Sequence, residues 1–190
     1  IHDNPIPGMA ERWETSADGK VWTFHLRQAA WSDGVAVTAD DFVFGLTRQL
    51  DPKVAAQSGY LLYFIAGAQA FNEGKAGPEG LGVKALDPGT LQITLNHPVP
   101  YLPQMAKHYS MLPAPKHIVE KYGDGWTKDH YVSNGPYMFD SWRLGDRLHL
   151  IKNPRFFDAG NVCLDELYFY PTPDAIVAER RVLRGELDWN

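Results

Sequence analysis

Alternating hydrophobic and polar residues predict a β-strand near the beginning of the chain. Trp22, Phe24 and Leu26 fall on one face of an extended segment, and the residues between them fall on the other. The sequence Trp31-Ser32-Asp33-Gly34 follows and predicts a turn, because Asp can accept a hydrogen bond from the backbone after it and Gly tolerates a positive φ. This region is therefore predicted to be a half-buried strand that leads into a turn.

A helix is predicted directly after this turn, over residues 39–50. The Thr38 hydroxyl can accept a free backbone N–H at its start, and Asp40-Asp41 lie at the positive end of the helix dipole. Pro52 cannot continue the helical hydrogen bonds and ends the helix. Apolar residues recur every fourth position and form one stripe of Phe42, Leu46 and Leu50. We expect this stripe to share a core with the strand.

The middle of the chain predicts further helices and a β-hairpin. An aromatic-rich stretch over 55–77 is compatible with a helix. Alternation over 82–95, around Asp87-Pro88-Gly89-Thr90, predicts a hairpin with Gly89 at the third position of a type II turn. Two short helices are predicted within 101–110 and 115–123.

The segment Asn134-Gly135-Pro136 marks a change from helical patterns to a new series of strands, and we predict a domain boundary there. A second hairpin over 137–152, a strand over 164–170, a helix over 172–185 and the beginning of a strand after Gly185 follow. The predicted fold class is α+β, with mixed but mostly antiparallel strands. The predicted domains are residues 1–134 and residues 135–190.

Composition and charge exclude several classes of protein. Hydrophobic residues make up 44% of the 190 residues, which is enough for a packed core. The net charge of -5 comes from acidic and basic residues that are scattered along the chain, so the sequence lacks the basic stripe that a nucleic-acid partner requires. No apolar run is long enough to span a bilayer. The single cysteine, Cys163, excludes an intrachain disulfide and is predicted to be a buried thiol between Val162 and Leu164.

Catalytic and metal-binding patterns are absent from the sequence. The seven histidines include no pair at the helical spacing that places two ligands on one face, so we predict no metal site and no cofactor. Asp40 and Asp41 are adjacent and point in different directions on a helix, which does not favour a catalytic pair. The glycines form no phosphate-binding loop, and no serine lies in a nucleophile elbow. We therefore do not expect an enzyme.

The order of several motifs resembles family 5 of the solute-binding proteins, which serve peptide-importing ABC transporters. The family pattern is Ala-x-x-Trp, then Trp-Thr-Phe-x-Leu-Arg, then Trp-x-Asp-Gly, then Thr-Ala-x-Asp-Phe. The pattern is matched here by Ala10, Trp13, Trp22, Thr23, Phe24, Leu26, Arg27, Trp31, Asp33, Gly34, Thr38, Ala39, Asp41 and Phe42. The resemblance continues through the stretches "LGVKALDPGTLQITLN", "SNGPYMFDSW" and "RVLRGELD", and covers essentially the whole chain.

This resemblance implies a part of a type II-like periplasmic-binding-protein fold. Residues 1–134 would form the small accessory lobe and residues 135–190 part of the first large lobe, so that the chain would be an internal fragment of a longer receptor. Such a receptor binds oligopeptides between its lobes and delivers them to the permease subunits of an ABC transporter. It is periplasmic, or is held at the membrane only through the permease or an N-terminal anchor outside this chain.

The resemblance also implies a set of ligand-facing or hinge residues: Gln57, Tyr60, Tyr63, Ser133, Asn134 and Gly135. Some peptide binders of the family have a tyrosine near Gln57 that reaches the ligand, and this chain lacks it. Tyr60 is an ambiguous member of the set, because its ring can instead face the core.

Three alternatives stay open at the level of the sequence. The solute can be another that the family binds, namely a dipeptide, a nickel chelate, haem, an opine or a sugar. A hydrolase with a pair of Asp or Glu carboxylates is a less favoured alternative, because the chain contains no motif for it. The same fold could also serve as the extracytoplasmic domain of a sensor.

Overall fold

The computed structural model describes residues 4–189 as a mixed α+β protein with two antiparallel sheets. The first sheet has the order β1-β2-β4-β3 and the second has the order β5-β6-β7. The strands are β1 (Ala10–Thr15), β2 (Val21–Leu26), β3 (Val83–Asp87), β4 (Thr90–Thr94), β5 (Tyr137–Arg143), β6 (Arg147–Lys152) and β7 (Glu166–Phe169). The predicted fold class is thus confirmed.

Short helices fill the connections between these strands. The α-helices are α1 (Ala39–Leu50), α2 (Ala68–Asn72), α3 (Leu102–Met105), α4 (Lys116–Tyr122), α5 (Trp126–Asp129) and α6 (Ala175–Leu183). Within residues 4–189, five 3-10 helices lie at Gly59–Leu62, Pro78–Gly80, Tyr109–Met111, Gly123–Gly125 and Ala159–Asn161. The predicted bounds of α1 are confirmed, because its helical turns end at Leu50 and Asp51 is already extended.

The core lies between one face of the first sheet and α1. Trp22 and Phe24 of β2 are buried there with Leu46 of α1, and Leu26 and Phe42 pack against them while remaining partly exposed. The strand partners of Trp22 and Phe24 on β4 are Ile93 and Leu91, which place their side chains on the same face. The period-two pattern of β2 and the period-four stripe of α1 therefore meet as predicted.

A buried polar contact joins the turn after β2 to the beginning of α1. The Asp41 carboxylate accepts a hydrogen bond from the indole N–H of Trp31 at 3.2 Å and from the backbone N–H of Thr38 at 2.9 Å. Its second oxygen accepts from the backbone N–H of Lys116 at 3.3 Å. Asp41 is thus a buried anchor that connects α1 to the preceding turn and to α4.

Two predicted local structures in the middle of the chain are wrong. The aromatic stretch does not form one helix, because Gly67 adopts a φ of +74° between the 3-10 helix Gly59–Leu62 and α2. Gly89 does not have the positive φ of a type II turn. Instead, its N–H donates to Asp87 Oδ1 at 2.8 Å and its carbonyl accepts from Leu26 at 2.7 Å, so the neighbouring strand determines the turn.

The helix predicted within residues 101–110 is also shorter than expected. Its first part is α3, and its last residues belong to the 3-10 helix Tyr109–Met111. The residues after Gly185 form bends and irregular structure up to Trp189 rather than a strand, and Asn190 lies outside the described residues. Cys163 is exposed, not buried, because it lies in the irregular segment before β7, outside both sheets.

Candidate functional site

The predicted hinge segment, Ser133 to Gly135, connects the region of the first sheet to β5. The Ser133 carbonyl accepts a hydrogen bond from the Ser32 N–H at 2.8 Å, and the Ser133 N–H donates to Ser32 Oγ at 3.1 Å. On the other side, the side chain of Asn153 donates to the Gly135 carbonyl at 2.9 Å. Asn153 is fully buried directly after β6. The segment is therefore held by hydrogen bonds to both parts of the structure.

Two arginines also connect the two sheet regions. Arg155 Nη1 donates to the Ser32 carbonyl at 3.0 Å. The guanidinium of Arg27, at the end of β2, lies 3.9 Å from the centre of the Phe157 ring, and its Nε donates to the Gly8 carbonyl at 2.6 Å. A cation over an aromatic ring is attracted by the negative face of the ring. These contacts hold the residues after β6 against the end of β2 and the turn that follows it.

The other predicted ligand-facing residues lie in and around the 3-10 helix Gly59–Leu62. Gln57 is exposed, and the Tyr60 ring is 62% exposed, so the alternative in which Tyr60 faces the core is wrong. Tyr63 is half-buried, and its hydroxyl donates to Asn72 Oδ1 at 2.8 Å. Asn72 in turn donates to the Leu50 carbonyl at 2.8 Å. Tyr63 thus supports the local fold, while Gln57 and Tyr60 face outward.

The six predicted site residues consequently form two groups with different bonding partners. Ser133 and Gly135 bond to Ser32 and Asn153, whereas Tyr63 bonds to Asn72. Asn134 and Gly135 also line a cavity described below. Their function in ligand binding stays a prediction.

Tyr109 is an exposed aromatic residue that the sequence reasoning missed. It lies on the 3-10 helix Tyr109–Met111, which packs against Gly59–Leu62, and its hydroxyl forms a short hydrogen bond with the buried Ser58 hydroxyl. Its ring is 64% exposed and contacts the His108 ring, with 4.2 Å between centroids. The local pattern of this stretch resembles an amphipathic helix, so no sequence signal indicated a contact with Ser58.

A largely apolar cavity of about 460 Å³ opens between the first sheet, α1 and the segment from Ser133 to Gly135. Phe24, Leu46, Ile93 and Met111 contribute apolar walls, and Asn134 also lines the cavity. Gln104 also lines the cavity, and its Oε1 is buried without a hydrogen-bond donor among the described residues. A volume of this size lies within the usual range for small-molecule sites.

Histidine–carboxylate pairs lie on both sheet regions. His117 of α4 lies 2.7 Å from Asp33 Oδ2. Partial burial raises the pKa of Asp33. The hydrogen bonds from His117 and from a backbone amide lower it, and together they outweigh the effect of burial, so the pKa lies below its ordinary value. The pair fastens α4 to the turn after β2.

In the second sheet, the two ring nitrogens of His149 lie 2.8 Å from Asp140 Oδ2 and 3.1 Å from Glu166 Oε2. The hydrogen bond from His149 lowers the pKa of Asp140. Hydrogen bonds from Tyr168 and then His149 lower the pKa of Glu166. Each of the three strands contributes one member, so these contacts connect the sheet across its width.

Among residues 4–189, no three His, Cys, Asp or Glu side chains are arranged to hold a metal ion. Over the same residues, no helix combines the length and the apolar character needed to cross a membrane.

The sequence matches the family described as "Bacterial extracellular solute-binding proteins, family 5 Middle" over residues 4–190. The chain belongs to this family. The resemblance found in the order of its motifs is thereby confirmed.

Members of family 5 from several bacteria are similar to the chain over nearly its whole length. The periplasmic oligopeptide-binding protein OppA of Salmonella typhimurium is 41% identical over 192 aligned positions, which cover 99% of this chain and 35% of that protein. The probable deoxycholate-binding periplasmic protein YgiS of Escherichia coli is 39% identical, over 96% of this chain and 35% of that protein. The chain thus spans about a third of the length of these relatives.

A solved structure of the family shows the same fold. The Haemophilus influenzae OppA complex with the peptide RPPGFSPFR superimposes with a TM-score of 0.91 at 37% identity. The superposition covers 96% of this chain and 36% of that chain. The relatives are named as solute-binding proteins rather than as enzymes.

Proposed function

We propose that the protein is the extracytoplasmic solute-binding component of an ABC importer and that it binds oligopeptides. The observation that carries this proposal is the 41% identity to an oligopeptide-binding protein over 99% of the chain. The relative with the bound peptide RPPGFSPFR supports the same class of solute. The relatives named periplasmic support a location in the periplasm, and the permease subunits of the transporter are the proposed partners.

We assign residues 1–134 to a small accessory lobe and residues 135–190 to part of a large lobe. The two antiparallel sheets, one before and one after Ser133, support this division. In receptors of this type the lobes close over an extended peptide, whose main chain forms hydrogen bonds as an added strand would. Gln57 and Tyr60 are the exposed candidates for ligand contact. The segment from Ser133 to Gly135, which is hydrogen-bonded to both sheet regions, would set the relative position of the two lobes.

A ligand screen with the full-length protein tests this function. Tripeptides and tetrapeptides are expected to raise the unfolding temperature, because a ligand that binds only the folded state stabilises it. Isothermal titration should give micromolar or tighter dissociation constants, about 8 kcal/mol or more. As a control, residues 1–190 alone should bind peptides no more tightly than about millimolar, because one wall of a cleft cannot enclose the ligand. Stabilisation by another solute but not by peptides would contradict the proposal.

Deoxycholate is a second candidate solute. One relative is named a probable deoxycholate-binding protein, and the cavity beside α1 is largely apolar, with a volume of about 460 Å³. The cavity also offers one unpaired acceptor, the Gln104 carboxamide oxygen, to a ligand hydroxyl. If deoxycholate raises the unfolding temperature while mixed peptides do not, this second function replaces the first.

A further inference from the structure

The ring of Tyr109 is exposed and yet fixed in position. The hydroxyl at its far edge bonds to Ser58, which is only 8% exposed, and one side of the ring contacts His108. The residue as a whole remains 64% exposed. An exposed tyrosine side chain ordinarily moves between rotamers, because holding it in one rotamer costs conformational entropy.

His108 is itself held in one orientation. Its Nδ1 accepts a hydrogen bond from the backbone N–H of Ser110 at 3.2 Å and lies 2.8 Å from the Ser110 hydroxyl. Because a backbone N–H can only donate, Nδ1 is the acceptor and the hydroxyl also donates to it. Ser110 is 2% exposed, so a buried residue fixes the histidine that supports the tyrosine.

The position of this ring connects it with the predicted ligand-facing residues. Ser58 follows Gln57 and lies two residues before Tyr60, and the side chains of both these neighbours face outward. A rigid aromatic ring with two rotatable bonds loses little entropy when a partner stacks on it. Rigidity that exists before binding increases affinity by reducing the cost of ordering.

We propose that Tyr109 is a stacking platform for an aromatic side chain of the bound peptide. This inference rests on the proposed function and names a side-chain subsite within it. Aromatic rings interact favourably when offset-stacked or edge-to-face, beyond the effect of the area that they bury. Ser58 and His108 are positioning residues, since they fix the ring without facing the ligand themselves.

Isothermal titration of the full-length protein with matched peptides tests the platform. The probes are trialanine and the three tripeptides in which one alanine is replaced by phenylalanine. In the wild-type protein, at least one phenylalanine peptide should bind more tightly than trialanine. Tyr109→Ala should weaken binding of that peptide by roughly three- to tenfold, the range of an aromatic pair, while it changes trialanine binding by less than about twofold.

Tyr168 provides a matched control in the second sheet. It is 43% exposed, its hydroxyl donates to Glu166 at 2.5 Å, and its ring stacks on His149 with 4.3 Å between centroids. Tyr168→Ala removes the same kind of tethered ring and should leave the affinity for all four peptides unchanged. Tyr109→Phe keeps the ring but loses the hydroxyl bond to Ser58, and it should weaken the phenylalanine peptide only about twofold.

The outcomes separate this inference from the proposed function. If the wild-type protein binds none of the four peptides, both are overturned. If the wild-type protein binds them but Tyr109→Ala leaves the affinity for both trialanine and the phenylalanine peptide unchanged, only the platform is overturned. The same holds if Tyr109→Ala weakens the binding of both peptides equally. An equal effect of Tyr168→Ala also overturns it. If Tyr109→Ala does not fold, the comparison rests on Tyr109→Phe and Ser58→Ala, and unchanged binding of the phenylalanine peptide by both variants overturns the platform.

Discussion

Replacing Asp41 by alanine is expected to destabilise the first sheet region by about 2–4 kcal/mol. The change removes the acceptor for the Thr38 N–H at the beginning of α1, and losing a helix cap costs about 1 kcal/mol. It also leaves the indole N–H of Trp31 unpaired in a site that is 2% exposed, which costs about 1–3 kcal/mol. The sum is large because one buried carboxylate accepts from several N–H groups.

Asp40 is the matched control for this substitution. It is the preceding acidic residue in the same first turn, but it is exposed. Asp40→Ala loses only the interaction with the helix dipole, about 0.3–1 kcal/mol. Urea unfolding followed by far-ultraviolet circular dichroism measures both variants without relying on the fluorescence of Trp31, which lies beside the altered site.

A double-mutant cycle with Trp31→Phe separates the indole contact from the helix cap. In the Trp31→Phe background there is no N–H to leave unpaired, so Asp41→Ala should cost about 1–2 kcal/mol less than in the wild type. Equal losses for Asp41→Ala and Asp40→Ala, or a coupling energy near zero, would refute the assignment of Asp41 as a buried anchor.

Two further predictions concern backbone strain and pH. Gly67→Ala should cost at least about 2 kcal/mol, because a positive φ is unfavourable for alanine and the new Cβ would overlap the Gly80 carbonyl oxygen. Gly74→Ala has a similar φ with open space around it and should cost only about 1 kcal/mol in the same unfolding measurement; equal costs would contradict the close contact. The lowered pKa of Asp33 stabilises the folded state above the unfolded pKa of about 3.9, and this stabilisation is lost as pH falls through the folded pKa. Asp33→Asn should therefore flatten the acid side of a stability–pH curve, as should His117→Ala; an unchanged curve for both would show that the pair is not linked to folding.

Local periodicity was sufficient to predict β2 and α1. Trp22, Phe24 and Leu26 alternate, and the apolar stripe of α1 recurs every fourth residue, because strand and helix geometry repeat at two and about 3.6 residues. The order of motifs identified the family. Neither conclusion required knowledge of distant contacts.

Only the tertiary structure decided the features that depend on distant neighbours. The predicted helix over 55–77 is divided at Gly67. There the carbonyl of Gly80 packs so closely against the backbone that a side chain on Gly67 would overlap it. The backbone of β2 holds the carbonyl of Gly89 away from the predicted turn geometry. In both cases a backbone group from elsewhere in the chain, the Gly80 carbonyl or the Leu26 N–H, outweighs local preference, because buried backbone groups need hydrogen bonds and close packing.

The candidate site also has a part that the sequence indicated and a part that only the tertiary structure decided. The sequence placed exposed residues such as Gln57 and Tyr60 in a candidate set through the family resemblance alone. It could not predict that Tyr109 would be fixed beside them, because its hydroxyl bonds to Ser58 across 51 positions of the chain. A hydrogen bond over that separation has no periodic trace in the sequence, since it exists only after folding has brought two 3-10 helices together.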